Sequence, residues 1–207
     1  MKAFHFLSIC VLFVTLNQAY AQDENPSKWH FTGYGGIGFG TVENDNQPNY
    51  NLNSNNGELL ISRRINGQMS LATGLGWNEL SGNGFNSDGN FFHERTQLRI
   101  PLLLSLDSEV SENLKIVGSF GLYGQSITKD EYQFLNEVQE NNFNGWNLGA
   151  QLSFGFAIKL LDHVSAGISY HGQTDLSKFD SQNSASFSDK QKVIDMNSVG
   201  LLLLFDL

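Results

Sequence analysis

The stretch GWNLGAQLSFGFAIKL, residues 145–160, places an apolar side chain at every second position from Trp146 to Leu160. Between them stand Asn147, Gly149, Gln151, Ser153, Gly155, Ala157 and Lys159. A period of two over this length is a strand with two unlike faces. The same rhythm recurs along the chain and predicts strands at 28–42, 57–64, 68–80, 91–106, 114–128, 145–160, 163–176 and 192–205. Most are long enough to cross a bilayer at a tilt.

The gaps alternate in length. ENDNQPNYNLNSNN, SGNGFNSDGN, KDEYQFLNEVQENNFN and SKFDSQNSASFSDKQ are long, while Ile65-Asn66-Gly67, DSEVSEN and Leu161-Asp162 are short. Short turns at one end and long loops at the other are the mark of an up-and-down membrane barrel. Volume decides which face is wet. Leu98, Ile100, Leu102 and Leu104 share a face with their counterparts on the other strands. Eight strands enclose too narrow an interior to hold so many large side chains. The apolar faces therefore point to lipid, and glycine, serine and polar residues fill the lumen. Trp29, Trp77 and Trp146 fall near strand ends, the positions of an aromatic girdle.

The ends of the chain refine this picture. Lys2, an apolar run from about Phe4 to Leu16, and Ala19-Tyr20-Ala21 form a secretory signal peptide over residues 1–21. Residues 22–27 are then a short N-terminal segment, and 28–207 the barrel domain. Cys10, the only cysteine, falls within the signal peptide, so the mature chain forms no disulfide. Without Lys2 the chain has 11 basic and 21 acidic residues, which argues against nucleic acid as a partner. The 21 glycines and 16 phenylalanines suit a barrel wall.

Two segments carry a resemblance. TQLRIPLLLSL, with Ile100-Pro101-Leu102, followed by the Gly-rich GSFGLYG, resembles the PorT-like family of outer-membrane β-barrel proteins. That resemblance implies a role as an accessory of a protein-secretion apparatus, with envelope proteins as partners. SVGLLLLF is similar to the terminal-strand signal read by the outer-membrane assembly machinery, with Ser198, Gly200, Leu203 and Phe205 at its key positions. Asp206 and Leu207 follow the aromatic, where many barrels end on it. Pro101 cannot donate to a ladder, so a bulge is expected there. Strict alternation would turn Asn197 and Asp195 toward lipid, so either a second bulge is expected near 195–198 or Asp195 already stands above the bilayer.

Candidate chemistry adds little that is specific. The inward set holds Glu58, Arg64, His93, Arg95, Arg99, Lys115 and Lys159. In so narrow a lumen these form a hydrogen-bonded, salt-bridged plug rather than an ion path. His93-Glu94 and His171 with nearby serines could suggest a hydrolase, but no nucleophile motif accompanies them. The acids Glu43, Asp45, Asp88, Asp130, Glu131, Glu137, Glu140 and Asp180 read as a solvated loop surface without calcium-loop spacing. No catalytic, metal or cofactor residue is assigned. The expectation is an all-β, eight-stranded antiparallel transmembrane barrel of the outer membrane, held in lipid and not an enzyme. Two alternatives remain. One is a secreted lipocalin-like barrel binding a small apolar ligand, and the other is an outer-membrane barrel enzyme.

Overall fold

The computed structural model describes residues 29–87, 89–140, 143–181 and 190–206. The stretch 1–21 expected to be a signal peptide, the segment 22–27, Asp88 and Leu207 lie outside the described residues. Eight long strands build the wall: β1 (Trp29–Asn44), β2 (Tyr50–Asn66), β3 (Met69–Asn86), β4 (Gly89–Ser111), β5 (Leu114–Gln133), β8 (Trp146–Leu161), β9 (Val164–Asp175) and β11 (Lys190–Asp206). Three short strands, β6 (Val138–Glu140), β7 (Phe143–Asn144) and β10 (Phe179–Ser181), stand at one end. Each wall strand is antiparallel to its neighbour, and β1 pairs β11 from His30↔Asp206 to Asn44↔Gln191. That pairing closes the sheet, leaving no free edge around the wall.

Alternation holds in the lower and middle wall. Leu59, Leu75, Leu122, Leu152, Phe154 and Ile168 are exposed on the outer wall, while Ser153, Gln151 and Ser169 turn inward. The three tryptophans are also exposed there. This outer belt is the surface that lipid covers.

Above the belt the polarity inverts. Val42, Tyr50, Leu52, Leu80, Phe91, Tyr132, Phe143, Phe179, Val193 and Met196 form a buried cluster inside the barrel. Phe143 and Phe179 come from β7 and β10, which pair with each other and fold over the opening. The strands β2 to β5 run further out than the sequence pattern indicates. YNLNSNN, expected in a loop, is strand: Leu52 and Ser54 point in, and Asn51, Asn53 and Asn55 point out. The gap SGNGFNSDGN likewise shrinks to the few residues between β3 and β4. Asparagine has a poor strand propensity, but here alternate burial of Leu52 and continuous pairing with β1 and β3 outweigh it.

Pro101 produces no bulge. The β3–β4 register is the same at Thr73↔Leu102 and Gly76↔Arg99, and only the bridges between them are missing. The ladder skips the absent N–H, and the Thr73 hydroxyl donates to the Pro101 carbonyl at 2.8 Å. The bulge expected near 195–198 is present. The β1–β11 register jumps from Phe39↔Asn197 to Thr41↔Ile194, and Asp195 takes φ 51°. This extra residue leaves Asp195 exposed at the outer end.

Candidate functional site in the barrel lumen

The lumen is built in layers from one end to the other. At the end carrying the short turns, β1, β2, β4, β5 and β11 bring His30, Arg64, Asp107, Lys115 and Asp206 together. His30 Nδ1 lies 2.7 Å from Asp206 Oδ1, and Lys115 Nζ donates to Asp206 Oδ2 at 2.8 Å. Arg64 reaches Asp107 at 3.4 Å, and Glu109 lies 3.6 Å from Lys115.

The middle layer is the buried pair Arg99 and Glu58, 3.1 Å apart and each 1% exposed. Gln151 Nε2 donates to both Glu58 oxygens, and the Arg99 guanidinium lies 5.3 Å from the Tyr123 ring centroid. Beside it Tyr34 stacks on His171 at 3.6 Å and hydrogen-bonds Ser198, which also accepts from Asn56. Next, Asp175 accepts from the Tyr123 hydroxyl, from Gln125 and from the Val193 amide, each at 2.8 Å. Glu58 accepts from Arg99 and from Gln151, and removing either charged partner alone would leave a buried charge uncompensated, which is costly.

The outer layer joins His93, Arg95 and Asp130, all fully buried. Arg95 Nε donates to Asp130 at 2.7 Å and its Nη2 to Gln191 at 2.8 Å. His93 Nε2 is 2.9 Å from the same carboxylate, and Tyr50 Oη is 2.9 Å from His93 Nδ1. This arrangement makes Nε2 the protonated nitrogen and Tyr50 the donor to Nδ1. The Phe143 amide donates to the other Asp130 oxygen, which ties the folded-over β7 to this layer. Outside the wall, the Asp45 carboxylate accepts from the Lys178 ammonium and raises its pKa, with Glu43 adding to the effect.

Six of the seven inward residues expected from the sequence are therefore in the lumen, in three separate layers rather than one network. Lys159 is the exception. It stands at the exposed rim and pairs with Asp162 of the tight turn at 3.2 Å, since the β8–β9 register shifts there. Asp130 corrects a second expectation: it is 1% exposed inside β5, not part of a solvated loop. The acidic partners Asp107, Asp130, Asp175 and Asp206 are absent from the sequence-level set. Only strand register shows which carboxylates face the cations. His171 is a stacked wall residue. Ser198 points inward, while Leu203 and Phe205 are exposed on the lipid face.

The sequence profile of the outer membrane protein beta-barrel domain matches residues 20–178. No curated protein matches the chain. Among solved structures, the chain is similar to a major outer membrane protein from Thermus thermophilus, with a TM-score of 0.56 and 11% identity. That match covers 86% of this chain and 99% of that one. Neisserial surface protein A gives a TM-score of 0.55 at 10% identity, covering 89% and 100%. The outer membrane protease OmpT from Escherichia coli gives 0.54 at 8% identity, covering 91% and 99%. At such identities these likenesses speak to the fold alone.

Proposed function

Because the chain belongs to the outer membrane protein beta-barrel domain family, we propose that this outer-membrane barrel is a structural or interaction protein of the envelope, without catalytic activity. In this reading it works through its surfaces, as an accessory of a protein-secretion apparatus of the PorT-like kind. Export uses the signal peptide 1–21, and insertion uses the last strand, with Ser198, Gly200, Leu203 and Phe205 read by the assembly machinery. Trp29, Trp77 and Trp146 anchor the wall at the two interfaces.

The observation that supports a surface role is the filling of the lumen. Arg99–Glu58–Gln151 braces its middle, and Arg95–Asp130–His93 under Phe143 and Phe179 closes its outer end. A barrel so filled offers a partner its walls and loops, not a passage. The test is a cross-linked pull-down of the native complex from outer membranes, paired with a secretion assay on a deletion strain. The proposal expects recovery of secretion components and reduced export. Recovery of the barrel alone, with export unchanged, would contradict it.

A further inference from the structure

On the outer wall the change from apolar to polar side chains falls at one height across three strands. Going outward along β2 and β3, exposed Leu59 stands opposite exposed Leu75, then Gly57 opposite Trp77, Asn55 opposite Glu79 and Asn53 opposite Ser81. On β4, Leu98 stands beside Trp77 and Thr96 beside Glu79. Directly opposed residues hold their Cβ atoms about 5 Å apart, so these side chains form one contiguous patch. The patch begins where the lipid belt ends, at the end of the barrel that carries the long loops. That is the depth of the outer leaflet's headgroups.

Two features of the patch go beyond hydration. The first is the attitude of Trp77. Three atoms of its six-membered ring lie 2.1–2.5 Å from where a Cβ of Gly57 would stand. The indole therefore lies along the wall over that glycine, with its other face outward and 42% of the residue exposed. An aromatic face is electron-rich, and the C–H bonds on one side of a sugar ring carry the partial positive charge that packs against it. The second feature is a row of unused hydrogen-bonding groups. Among the described residues, Asn53, Asn55, Glu79 and Ser81 make no side-chain hydrogen bond or ion pair, whereas Asn51 further out accepts from Thr41 at 2.8 Å. An asparagine amide both donates and accepts, and a carboxylate accepts. Together they complement vicinal hydroxyls, each of which also donates and accepts. Threonine would hydrate the same row with a better strand propensity than asparagine.

Charge narrows the choice of headgroup. Glu79 is the one ionised side chain of the patch, and Lys129, beyond Thr96 on β5, is already held between Glu94 and Glu131. A phosphate here would meet an unpaired carboxylate and no free cation, whereas an uncharged sugar meets no such penalty. We propose that this face of β2 and β3 binds the uncharged saccharide headgroup of a glycolipid in the outer leaflet. A sugar ring lies on Trp77, and its hydroxyls meet Asn55, Glu79 and Asn53. The acyl chains lie below on Leu59, Leu75 and Leu98, continuous with the lipid-covered wall. This inference is independent of a secretion role, because it needs only the barrel and lipid.

The test uses the mature protein refolded in micelles of a zwitterionic detergent that carries no sugar. Digalactosyl diacylglycerol and phosphatidylcholine with the same acyl chains are added in equal amounts, and native mass spectrometry counts the lipids retained on the barrel. The proposal expects the digalactosyl lipid to be retained at least about tenfold over phosphatidylcholine, the factor that two or three net hydrogen bonds supply. Asn55→Ala with Glu79→Ala removes side chains that have no partner in the protein, so the barrel keeps its fold while the preference falls about tenfold. Trp77→Leu keeps the wall apolar and should also lower the preference. Free lactose at the same concentration should not displace the glycolipid, because it lacks the chains that lie on the wall. Equal retention of the two lipids, an unchanged preference in a folded Asn55→Ala, Glu79→Ala, Trp77→Leu triple variant, or full displacement by lactose would each overturn the proposal.

Discussion

Glu58 shows how a single residue holds this lumen. Its two oxygens take Arg99 and Gln151, and no solvent reaches the pair. Glu58→Ala leaves a buried guanidinium uncompensated, at an expected cost of about 3–5 kcal/mol. Glu58→Leu with Arg99→Met should recover most of that loss, because the desolvation penalty disappears with both charges. Urea unfolding followed by tryptophan fluorescence measures both variants, and equal stability of the single and double variants would reject a paired brace. Gly57 gives a second test. A Cβ there would sit 2.1 Å from the Trp77 ring, which lies flat across it on the outer wall. Gly57→Ala should displace that indole and cost about 1–3 kcal/mol by overpacking, with a changed Trp77 emission as the direct readout. The charge signs of these residues are plain from the sequence. Their partners are not. Arg95 and Asp130 are thirty-five positions apart and meet only because the register places Arg95 opposite Asp130.

At the scale of elements, alternation carried nearly all the information. Every wall strand follows from it, because one face must be apolar and the other must fit a narrow lumen. The face assignment of β8 is testable with three substitutions. Arg at Leu152 or Phe154 should cost about 2–4 kcal/mol near the bilayer midplane. Arg at Ser153 enters the lumen beside Ser119, 2.7 Å away across the β5–β8 pair, and should respond differently. Equal damage at all three sites would contradict the assignment. Alternation fails where the environment changes. Above the lipid belt the outer face is wet, so the apolar residues of β2 to β5 turn inward, and a polar run such as NLNSNN looks like a loop. Composition cannot separate a solvated strand from a solvated turn. The short strands β7 and β10 were also illegible, since two or three residues carry no period. Phe143→Ala should loosen this cap without unfolding the wall. Amide exchange is expected to rise in the outer parts of β4 and β5 and stay slow in β8 and β9, because the Phe143 amide donates to Asp130 of β5 and its ring lies against Arg95 of β4.

For the whole molecule, the central claim is a lipid-embedded wall around a lumen closed twice, once by Arg99–Glu58 and once by the Arg95–Asp130 layer beneath its apolar cap. Each closure includes a bond between strands that are not neighbours, Gln151 of β8 to Glu58 of β2 in the first and Arg95 of β4 to Gln191 of β11 in the second, so ordinary fluctuation of one strand does not open a path. Conductance of the purified protein in planar bilayers tests this most directly. The account predicts no stable porin-like current at any applied potential that the bilayer survives. Reproducible ion-conducting steps of uniform size would contradict it, and would recast Arg95, Arg99 and Glu58 as the lining of a pore.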